Sequence, residues 1–142
     1  MTNEEKKQFV IKRGRSGVGL SLFTRVAFKK GDVVIEYKGV PMPTEKADEL
    51  STRYLFDLEN GTTIDGAARS NTARYINHSC RPNCASDTRD NRVWIDAVRT
   101  IKPGEELSFD YGEEYFDEFI KPVGCKCEKC SPTKIPKKKK AQ

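Results

Sequence analysis

Short runs of β-branched, aromatic and aliphatic residues recur along this chain, and a turn signal ends each run after a few residues. Residues 33–37, Val-Val-Ile-Glu-Tyr, form one such run, which follows a Lys-Lys-Gly-Asp turn at residues 29–32. Two further runs, residues 54–58 and 62–65, flank residues 59–61, where Asn-Gly is a strong signal for a β-hairpin. Runs of this length and composition favour strands over helices. The spacing therefore predicts a mainly β domain with little helix.

The expected elements are short throughout. Residues 1–8 are expected to be a frayed end, and Pro41 and Pro43 are expected to mark a loop. One short helix is predicted at residues 45–50 and another at residues 71–76. Strands are predicted at residues 9–12, 20–24, 33–37, 54–58, 62–65, 85–87, 92–98 and 107–109.

The length of 142 residues suits one domain with a modest core, and the hydrophobic fraction of 36% leaves no margin for a large apolar interior. The first eight residues are polar, unlike a secretory signal, and no apolar run is long enough to span a membrane. An intracellular, reducing location is therefore expected. In such a compartment, the five cysteines are expected to be metal ligands or free thiols rather than disulfides.

The formal net charge of +5 is concentrated at the C-terminus. Lys134 and the four lysines at residues 137–140 supply five positive charges, and residues 131–142 contain no acid, so the rest of the chain sums to zero. An acidic segment at residues 105–118 carries seven Asp or Glu side chains and no basic one. It is either a solvated surface or a patch that steers a basic peptide, an effect that salt screens beyond about 8–10 Å.

Two polar motifs carry the candidate chemistry. Residues 74–84 read Arg-Tyr-Ile-Asn-His-Ser-Cys-Arg-Pro-Asn-Cys and hold the only histidine, two of the five cysteines and two asparagines. Residues 106–112 read Glu-Leu-Ser-Phe-Asp-Tyr-Gly and follow the hairpin predicted at residues 85–98. Polar and metal-capable side chains are too crowded in the first motif for an ordinary loop. A functional site built from the two motifs is therefore expected.

The two motifs, in this order, resemble the signature motifs of the SET-domain family of protein lysine methyltransferases. The resemblance extends from residue 9 to residue 130 and implies the β-clip-like SET fold, with several small sheets, short helices, a threaded C-terminal segment and a post-SET zinc site. It implies a SET domain at residues 9–112, a post-SET zinc-binding segment at residues 113–131 and a basic, disordered tail at residues 132–142. No cysteine-rich segment precedes residue 9, so a minimal catalytic core is expected.

The resemblance implies S-adenosylmethionine as the cofactor. Taken alone, Gly17-Val18-Gly19 is more typical of a tight turn than of a ligand site, because it lacks the third glycine of a dinucleotide fingerprint. In the family, a Gly-x-Gly after the first strand holds the cofactor through backbone contacts, which implies contacts from Ser16, Gly17 and Val18. The other cofactor contacts that the resemblance implies come from Arg74, Asn77, His78 and Tyr111.

Three cysteines cluster near the C-terminus, at Cys125, Cys127 and Cys130. Three thiolates this close together suit a tetrahedral zinc ion that needs one more ligand, and Cys80 or Cys84 is available for it. The resemblance implies Cys80, because the family takes its fourth ligand from the Asn-His-x-Cys motif, and it leaves Cys84 as a buried thiol. The family more often has four residues before the last cysteine, and here only two intervene. The structural zinc is expected to fasten the post-SET segment over the active site.

The remaining catalytic residues that the resemblance implies are aromatic. Tyr111 corresponds to the family's active-site tyrosine, and Tyr54 corresponds to a second tyrosine that lines the lysine channel. Phe109 occupies the position that tunes the number of methyl groups transferred. A phenylalanine there leaves room for a methylated amine, which implies di- or trimethylation. Taken alone, a tyrosine in a strand is usually a packing residue, and Tyr37 and Trp94 are expected to be core.

The implied function is an S-adenosylmethionine-dependent protein-lysine N-methyltransferase acting on a histone tail or another Lys-rich protein. His78 is not assigned as a general base, since no Ser-His-Asp order or nucleophile elbow is present. Two other classes remain open, a catalytically silent chromatin-binding module and a small zinc-bearing nucleic-acid binder, whose contact would be confined to the basic tail. No membrane partner is expected. In a eukaryotic cell the expected location is the nucleus or chromatin, and the basic tail resembles an import signal.

Overall fold

The computed structural model of the chain describes residues 1–14, 19–47, 49 and 54–112. These residues form ten short strands, two short α-helices and one 3₁₀ helix, and the strands group into three small sheets. The prediction of a mainly β fold is therefore confirmed. The strands are β1 (Phe9–Arg13), β2 (Leu20–Thr24), β3 (Val33–Tyr37), β4 (Val40–Pro43), β5 (Leu55–Asp57), β6 (Thr62–Asp65), β7 (Asn77–His78), β8 (Cys84–Arg89), β9 (Arg92–Ala97) and β10 (Ser108–Phe109).

Two of the sheets are antiparallel and local. β1 pairs with β2, with Phe9 opposite Thr24. The second sheet has the order β4-β6-β5, in which β5 and β6 form the hairpin predicted across the Asn-Gly turn. The third sheet has the order β3-β9-β8-β10-β7; β3, β9 and β8 pair antiparallel, whereas β10 pairs parallel with both of its neighbours.

The position of β10 gives the fold its threaded topology. β7 and β8 are consecutive in the chain, yet β10 lies between them in the sheet. Ser108 is opposite Asn77, and Phe109 is opposite both His78 and Cys84. The chain therefore returns from β9 and inserts between two strands that precede it, which places the second motif directly against the first. The predicted post-SET segment and tail, residues 113–142, lie outside the described residues.

The helices are α1 (Asn3–Gln8), α2 (Thr44–Ala47) and the 3₁₀ helix Thr72–Tyr75. The prediction of a frayed N-terminus is wrong, because Thr2 and Glu5 form a capping box: Glu5 N donates to Thr2 Oγ1 at 3.1 Å and Thr2 N donates to Glu5 Oε1 at 3.0 Å. The Thr72 hydroxyl also donates to Glu5 Oε1, at 2.8 Å, which fastens α1 to the 3₁₀ helix. No helix in the described part of the chain has the length and hydrophobicity needed to cross a membrane.

The segment that contains Pro41 and Pro43 is a strand, which corrects the prediction of a loop. Pro41 is opposite Ile64 and Pro43 is opposite Thr62 in the pairing of β4 with β6. Proline lacks a backbone N–H, and it is tolerated here because β4 is an edge strand whose outer side needs no hydrogen-bond donor.

One hydrophobic core joins the sheets. Tyr37 belongs to it, as predicted, and is only 6% exposed. The prediction for Trp94 is wrong: it is partly exposed on the outer face of β9, where Val93 and Ile95 alternate with it and point inward. The largest fully buried apolar side chains come from many elements and are Phe9, Leu22, Ile76, Ile95, Ile101, Leu107 and Val93.

Candidate active site

A pocket lies where the five-stranded sheet meets the β4-β6-β5 sheet. β5 and the residue before it supply one wall, and the ends of β3 and β10 supply the opposite side. Five aromatic residues line the pocket together with one leucine and one arginine. The lining residues are Tyr37, Tyr54, Leu55, Phe56, Arg74, Phe109 and Tyr111. The fold thus brings together Tyr54, Phe109 and Tyr111, which the sequence proposed as catalytic, although they are far apart in the chain.

Tyr111 is anchored at both ends by the first motif. Its hydroxyl donates a short hydrogen bond to the Ile76 carbonyl, and its backbone N–H donates to His78 Nδ1 at 3.0 Å. Its ring lies 4.7 Å from the ring of Phe109 and packs edge-on against the imidazole of His78, with 5.4 Å between centroids. These contacts fix both the backbone and the ring of Tyr111 at the end of the threaded segment.

The imidazole of His78 is a structural link between the two motifs. Because Nδ1 accepts the hydrogen bond from Tyr111, the proton of a neutral ring lies on Nε2, which is 3.3 Å from Cys80 Sγ. Asp110 Oδ1 is 3.7 Å from Nδ1, and the side chain of His78 is 5% exposed. With both ring nitrogens engaged within the protein, the main chain of His78 is the part suited to contact a cofactor.

Arg74 enters the pocket from the 3₁₀ helix. Its guanidinium carbon lies 4.4 Å from the ring centroid of Tyr54 and 5.3 Å from that of Tyr75. Within the described part of the chain, its Nε is buried and has no hydrogen-bond partner. A buried guanidinium donor is stabilised by a carboxylate, and S-adenosylmethionine carries one. The donor chemistry at Arg74 therefore fits this cofactor.

Asn77 connects the first motif to the segment after the glycine-rich turn. Its Nδ2 donates to the Leu20 carbonyl at 3.0 Å, so β7 lies beside the start of β2. The proposed cofactor residues Ser16, Gly17 and Val18 precede β2 by a few positions, but they lie outside the described residues.

Tyr37 is a pocket residue that sequence reasoning assigned only to the core. Its hydroxyl donates to the Tyr54 carbonyl at 3.1 Å, and its ring centroid is 5.6 Å from that of Phe56. The β-branched run before it predicted a buried strand and carried no signal for a site. Phe56 was also missed, although its two-residue spacing from Tyr54 places both side chains on one face of an extended segment.

The described cysteines differ in environment. Cys84 is fully buried, as predicted, and burial raises the pKa of its thiol to about 12. Cys80 is partly exposed and lies beside the imidazole of His78. The structure does not describe the other proposed zinc ligands, which are Cys125, Cys127 and Cys130. Among the residues that it does describe, no group of three or more possible metal ligands occurs.

Comparison with known proteins gives the family. A family model described as SET domain matches residues 19–112. The histone-lysine N-methyltransferase trr of Drosophila melanogaster is 38% identical over 125 residues, which cover 79% of this chain and 5% of that protein. The histone-lysine N-methyltransferase SUV39H1 of Xenopus laevis is 37% identical over 122 residues, which cover 73% of this chain and 29% of that protein.

A third relative, the histone-lysine N-methyltransferase set1 of Dictyostelium discoideum, is 36% identical over 125 residues, which cover 79% of this chain and 8% of that protein. This chain therefore spans less than a third of the length of each of these three curated relatives. The family match extends over more than half of the chain. It contains both motifs and every residue that lines the pocket. The chain belongs to the SET-domain family.

Proposed function

We propose that this chain is an S-adenosylmethionine-dependent protein-lysine N-methyltransferase whose substrate is a histone tail or another Lys-rich protein. The observation that carries the proposal is the pocket, in which five aromatic side chains and one arginine surround a cavity next to the doubly anchored Tyr111. The names of the relatives support a histone lysine as the target. A histone substrate would place the protein in the nucleus or on chromatin.

The pocket has the properties needed to hold a lysine side chain in its neutral, nucleophilic form. A free lysine has a pKa of about 10.4, and its ammonium form has no lone pair with which to attack. The aromatic walls would desolvate the amine, which disfavours its charged form, and the positive sulfur of the bound cofactor would disfavour a second cation nearby. Tyr54 and Tyr111 line the pocket, and their hydroxyl groups would orient the amine.

Three groups of residues would hold the cofactor, which when bound supplies an electrophilic methyl group on a positively charged sulfur. Arg74 would bind its carboxylate, because the buried Nε needs an acceptor. Asn77 lies beside the start of β2, and it would provide polar contacts together with the main chain of His78, the next residue of β7. The backbone at residues 16–18 completes the proposed site, and the proposal for it is supported by the sequence motif alone.

Phe109 supports the transfer of more than one methyl group. Its ring packs against Tyr111 on the pocket wall, and it is only 3% exposed. A phenylalanine carries no hydroxyl that could hold a water molecule in the space needed by a methylated amine. We therefore include di- and trimethylation in the proposed activity.

The edge of β5 offers a place for the peptide that carries the target lysine. Among the described strands, β5 pairs only with β6, so no described strand covers its other edge, which lies next to the pocket. An extended peptide can add to such an edge by main-chain hydrogen bonds. Asp57 and Glu59 are exposed immediately beyond Phe56, and their carboxylates favour a substrate with basic residues beside the target.

The zinc site remains a separate part of the proposal, with Cys80, Cys125, Cys127 and Cys130 as ligands of a structural ion. Metal analysis of the purified chain should give about one zinc per molecule if these four thiolates form one tetrahedral site. Cys127→Ser should abolish the bound zinc, whereas the matched control Cys84→Ala should retain it, because Cys84 is assigned no part in the site. Wild-type protein without zinc would overturn the proposed site.

The methyltransferase proposal is tested with labelled S-adenosylmethionine and a panel of histone and other Lys-rich peptides. We expect label on a lysine side chain, and none on a matched peptide in which that lysine is replaced by arginine. Calorimetry with S-adenosylmethionine should show binding by the full chain. Failure to bind the cofactor would overturn the proposal and favour a silent chromatin-binding module or a nucleic-acid binder.

A further inference from the structure

Asn71 is a buried polar residue that does not line the pocket, and it is 1% exposed. Both ends of its side-chain amide are hydrogen bonded. Nδ2 donates to the Gly66 carbonyl at 2.9 Å, and Oδ1 accepts from the backbone N–H of Lys38 at 2.9 Å. The amide therefore joins two backbone segments that are distant in sequence, one after β3 and one after β6.

Each of these segments leads to a tyrosine of the pocket. Lys38 directly follows Tyr37, the last residue of β3. Gly66 donates its backbone N–H to the Tyr54 carbonyl at 2.9 Å, and the Tyr37 hydroxyl donates to the same oxygen at 3.1 Å. Of the two residues that the Asn71 side chain bonds, Lys38 is adjacent to Tyr37 in the chain and Gly66 is hydrogen bonded to Tyr54.

The packing at Gly66 leaves no space for a shift in these groups. A Cβ atom at Gly66 would lie 2.4 Å from Tyr37 Cε1 and 2.6 Å from Asn71 Nδ2, both far shorter than a van der Waals contact. The glycine is therefore required by the close approach of Tyr37 and Asn71. Because interiors of this density deform little, the position of the amide determines the position of the tyrosine ring.

We propose that Asn71 is a positioning residue for the substrate side of the pocket, which holds Tyr37 and Tyr54 in the arrangement that accepts the lysine side chain. The inference rests on the proposed function, because it concerns the same pocket. Asn71 itself lines neither the pocket nor the proposed cofactor site. Its link to Arg74 is through its main-chain carbonyl, which accepts from Arg74 N at 3.1 Å and is kept in any side-chain variant.

Asn83 provides a matched comparison within the same chain. It is 2% exposed, its Nδ2 donates to the Glu106 carbonyl at 2.9 Å, and its Oδ1 accepts from Ser108 N at 2.9 Å. The bonding pattern equals that of Asn71, but it holds the segment that leads to Phe109 and Tyr111. A comparison of variants at the two asparagines therefore distinguishes the general effect of losing a buried amide from the specific effect of disturbing one wall of the pocket.

The experiment compares Asn71→Ala and Asn71→Asp with Asn83→Ala in the full chain. For each variant, thermal stability, the Kd for S-adenosylmethionine, and kcat and KM for a lysine peptide are measured. Asn71→Ala should lower kcat/KM for the peptide by about tenfold or more, because two backbone groups beside the pocket tyrosines lose their partners. Its cofactor Kd should stay within about twofold of the wild type, since the amide contacts only the substrate side.

Asn71→Asp is the second variant, in case Asn71→Ala does not fold. At this buried position a neutral carboxyl can accept from Lys38 N–H and donate to the Gly66 carbonyl, so its peptide kcat/KM should lie between those of the wild type and the alanine variant. The kcat/KM should fall further at higher pH, because an ionised carboxylate would place an acceptor against the Gly66 carbonyl. Asn83→Ala should instead weaken cofactor binding together with turnover. Equal losses of peptide turnover and cofactor affinity in the Asn71 variants, or unchanged peptide kcat/KM, would overturn the inference. An inactive wild type would overturn the proposed function first, which distinguishes the two failures.

Discussion

The two sides of the pocket are built in different ways. One side, the threaded wall, is residues 108–112, and side chains of the first motif hold its backbone. The other side, the hairpin wall, is β5 with Tyr54, and the backbone ladder between β5 and β6 holds it. No described strand of the β4-β6-β5 sheet pairs with a strand of the five-stranded sheet, so side chains such as Tyr37 and Asn71 make the connection.

This difference indicates how each wall responds to mutation. The threaded wall is a parallel insertion between β7 and β8, and its proposed catalytic residue, Tyr111, is fixed at both ends by the first motif. Loss of one anchor there misplaces the residue closest to the proposed chemistry. The hairpin wall can fold locally, so loss of a link should shift the wall relative to the cofactor side and leave its own pairing intact. Variants of the threaded wall should therefore have the larger effects on turnover.

The largest effect is expected for Tyr111→Phe. The change removes the hydroxyl that donates to the Ile76 carbonyl from a residue that lines the pocket, and kcat should fall by at least about 100-fold, the cost of misplacing a reacting group. Steady-state kinetics give this number, while circular dichroism and metal content should match the wild type. Trp94→Phe on the outer face of β9 is the control and should keep its activity. Normal turnover in Tyr111→Phe would remove Tyr111 from the proposed mechanism.

The corresponding test of the hairpin wall is Tyr37→Phe. The variant keeps the ring that packs against Phe56 and loses the hydrogen bond to the Tyr54 carbonyl. One such bond contributes about 0.5–1.5 kcal/mol, so kcat/KM for a peptide should fall by roughly two- to tenfold. The Kd for the cofactor should not change. A loss as large as that of Tyr111→Phe would show that the two walls do not differ as argued.

The sequence located the threaded wall far better than the hairpin wall. The threaded wall is held by side chains of the first motif, such as His78 and Asn83, and this motif is conspicuous in the sequence because polar and metal-capable side chains are crowded in it. The sequence pattern alone did not predict which backbone segment these side chains hold, or that β10 inserts between β7 and β8. The family resemblance implied the threading, and the structure gives the pairing. Short parallel pairings of two residues leave no periodic pattern in the sequence.

The hairpin wall was predicted as secondary structure and missed as part of a site. Residues 54–58 and 62–65 predicted the hairpin correctly, but the same apolar pattern hid the role of Phe56. Asn71 appeared only as the possible start of a helix, since nothing local shows that both ends of its amide reach distant backbone groups. The strand β4 was missed because its prolines indicate a loop unless the edge position is known.

A smaller effect on rate, with a distinct product change, is expected for Phe109→Tyr on the threaded wall. The added hydroxyl would occupy space in the pocket beside Tyr111 and can hold a water molecule, which leaves less room for a methylated amine. Mass spectrometry of the product should shift from di- and trimethyl-lysine toward monomethyl-lysine, and the first methyl transfer should slow by only a few-fold, or about 1 kcal/mol in barrier. An unchanged distribution would contradict the assignment of Phe109 to the lysine channel.

The smallest effect concerns α1, which is attached to the 3₁₀ helix that carries Arg74 and belongs to neither wall. Partial burial raises the pKa of Glu5, but the hydrogen bonds from Thr2 N and the Thr72 hydroxyl outweigh it, and the net result is a pKa below its ordinary value of 4.5. A carboxyl whose pKa is lowered by folding stabilises the native state above its unfolded pKa. This stabilisation is lost as the pH falls through the folded value.

Glu5→Gln tests this directly, because the amide oxygen can still accept both hydrogen bonds but does not titrate in this range. The wild type should be more stable than the variant by about 0.5 kcal/mol at pH 7, the size of a partly exposed charge-assisted contact. The difference should remain constant down to about pH 5 and shrink below pH 4.5 in urea unfolding at several pH values. Activity at pH 7 should be equal in both, since Glu5 lies outside the pocket. Parallel stability curves across the acidic range would show that the Glu5 carboxylate does not fasten α1 to the 3₁₀ helix.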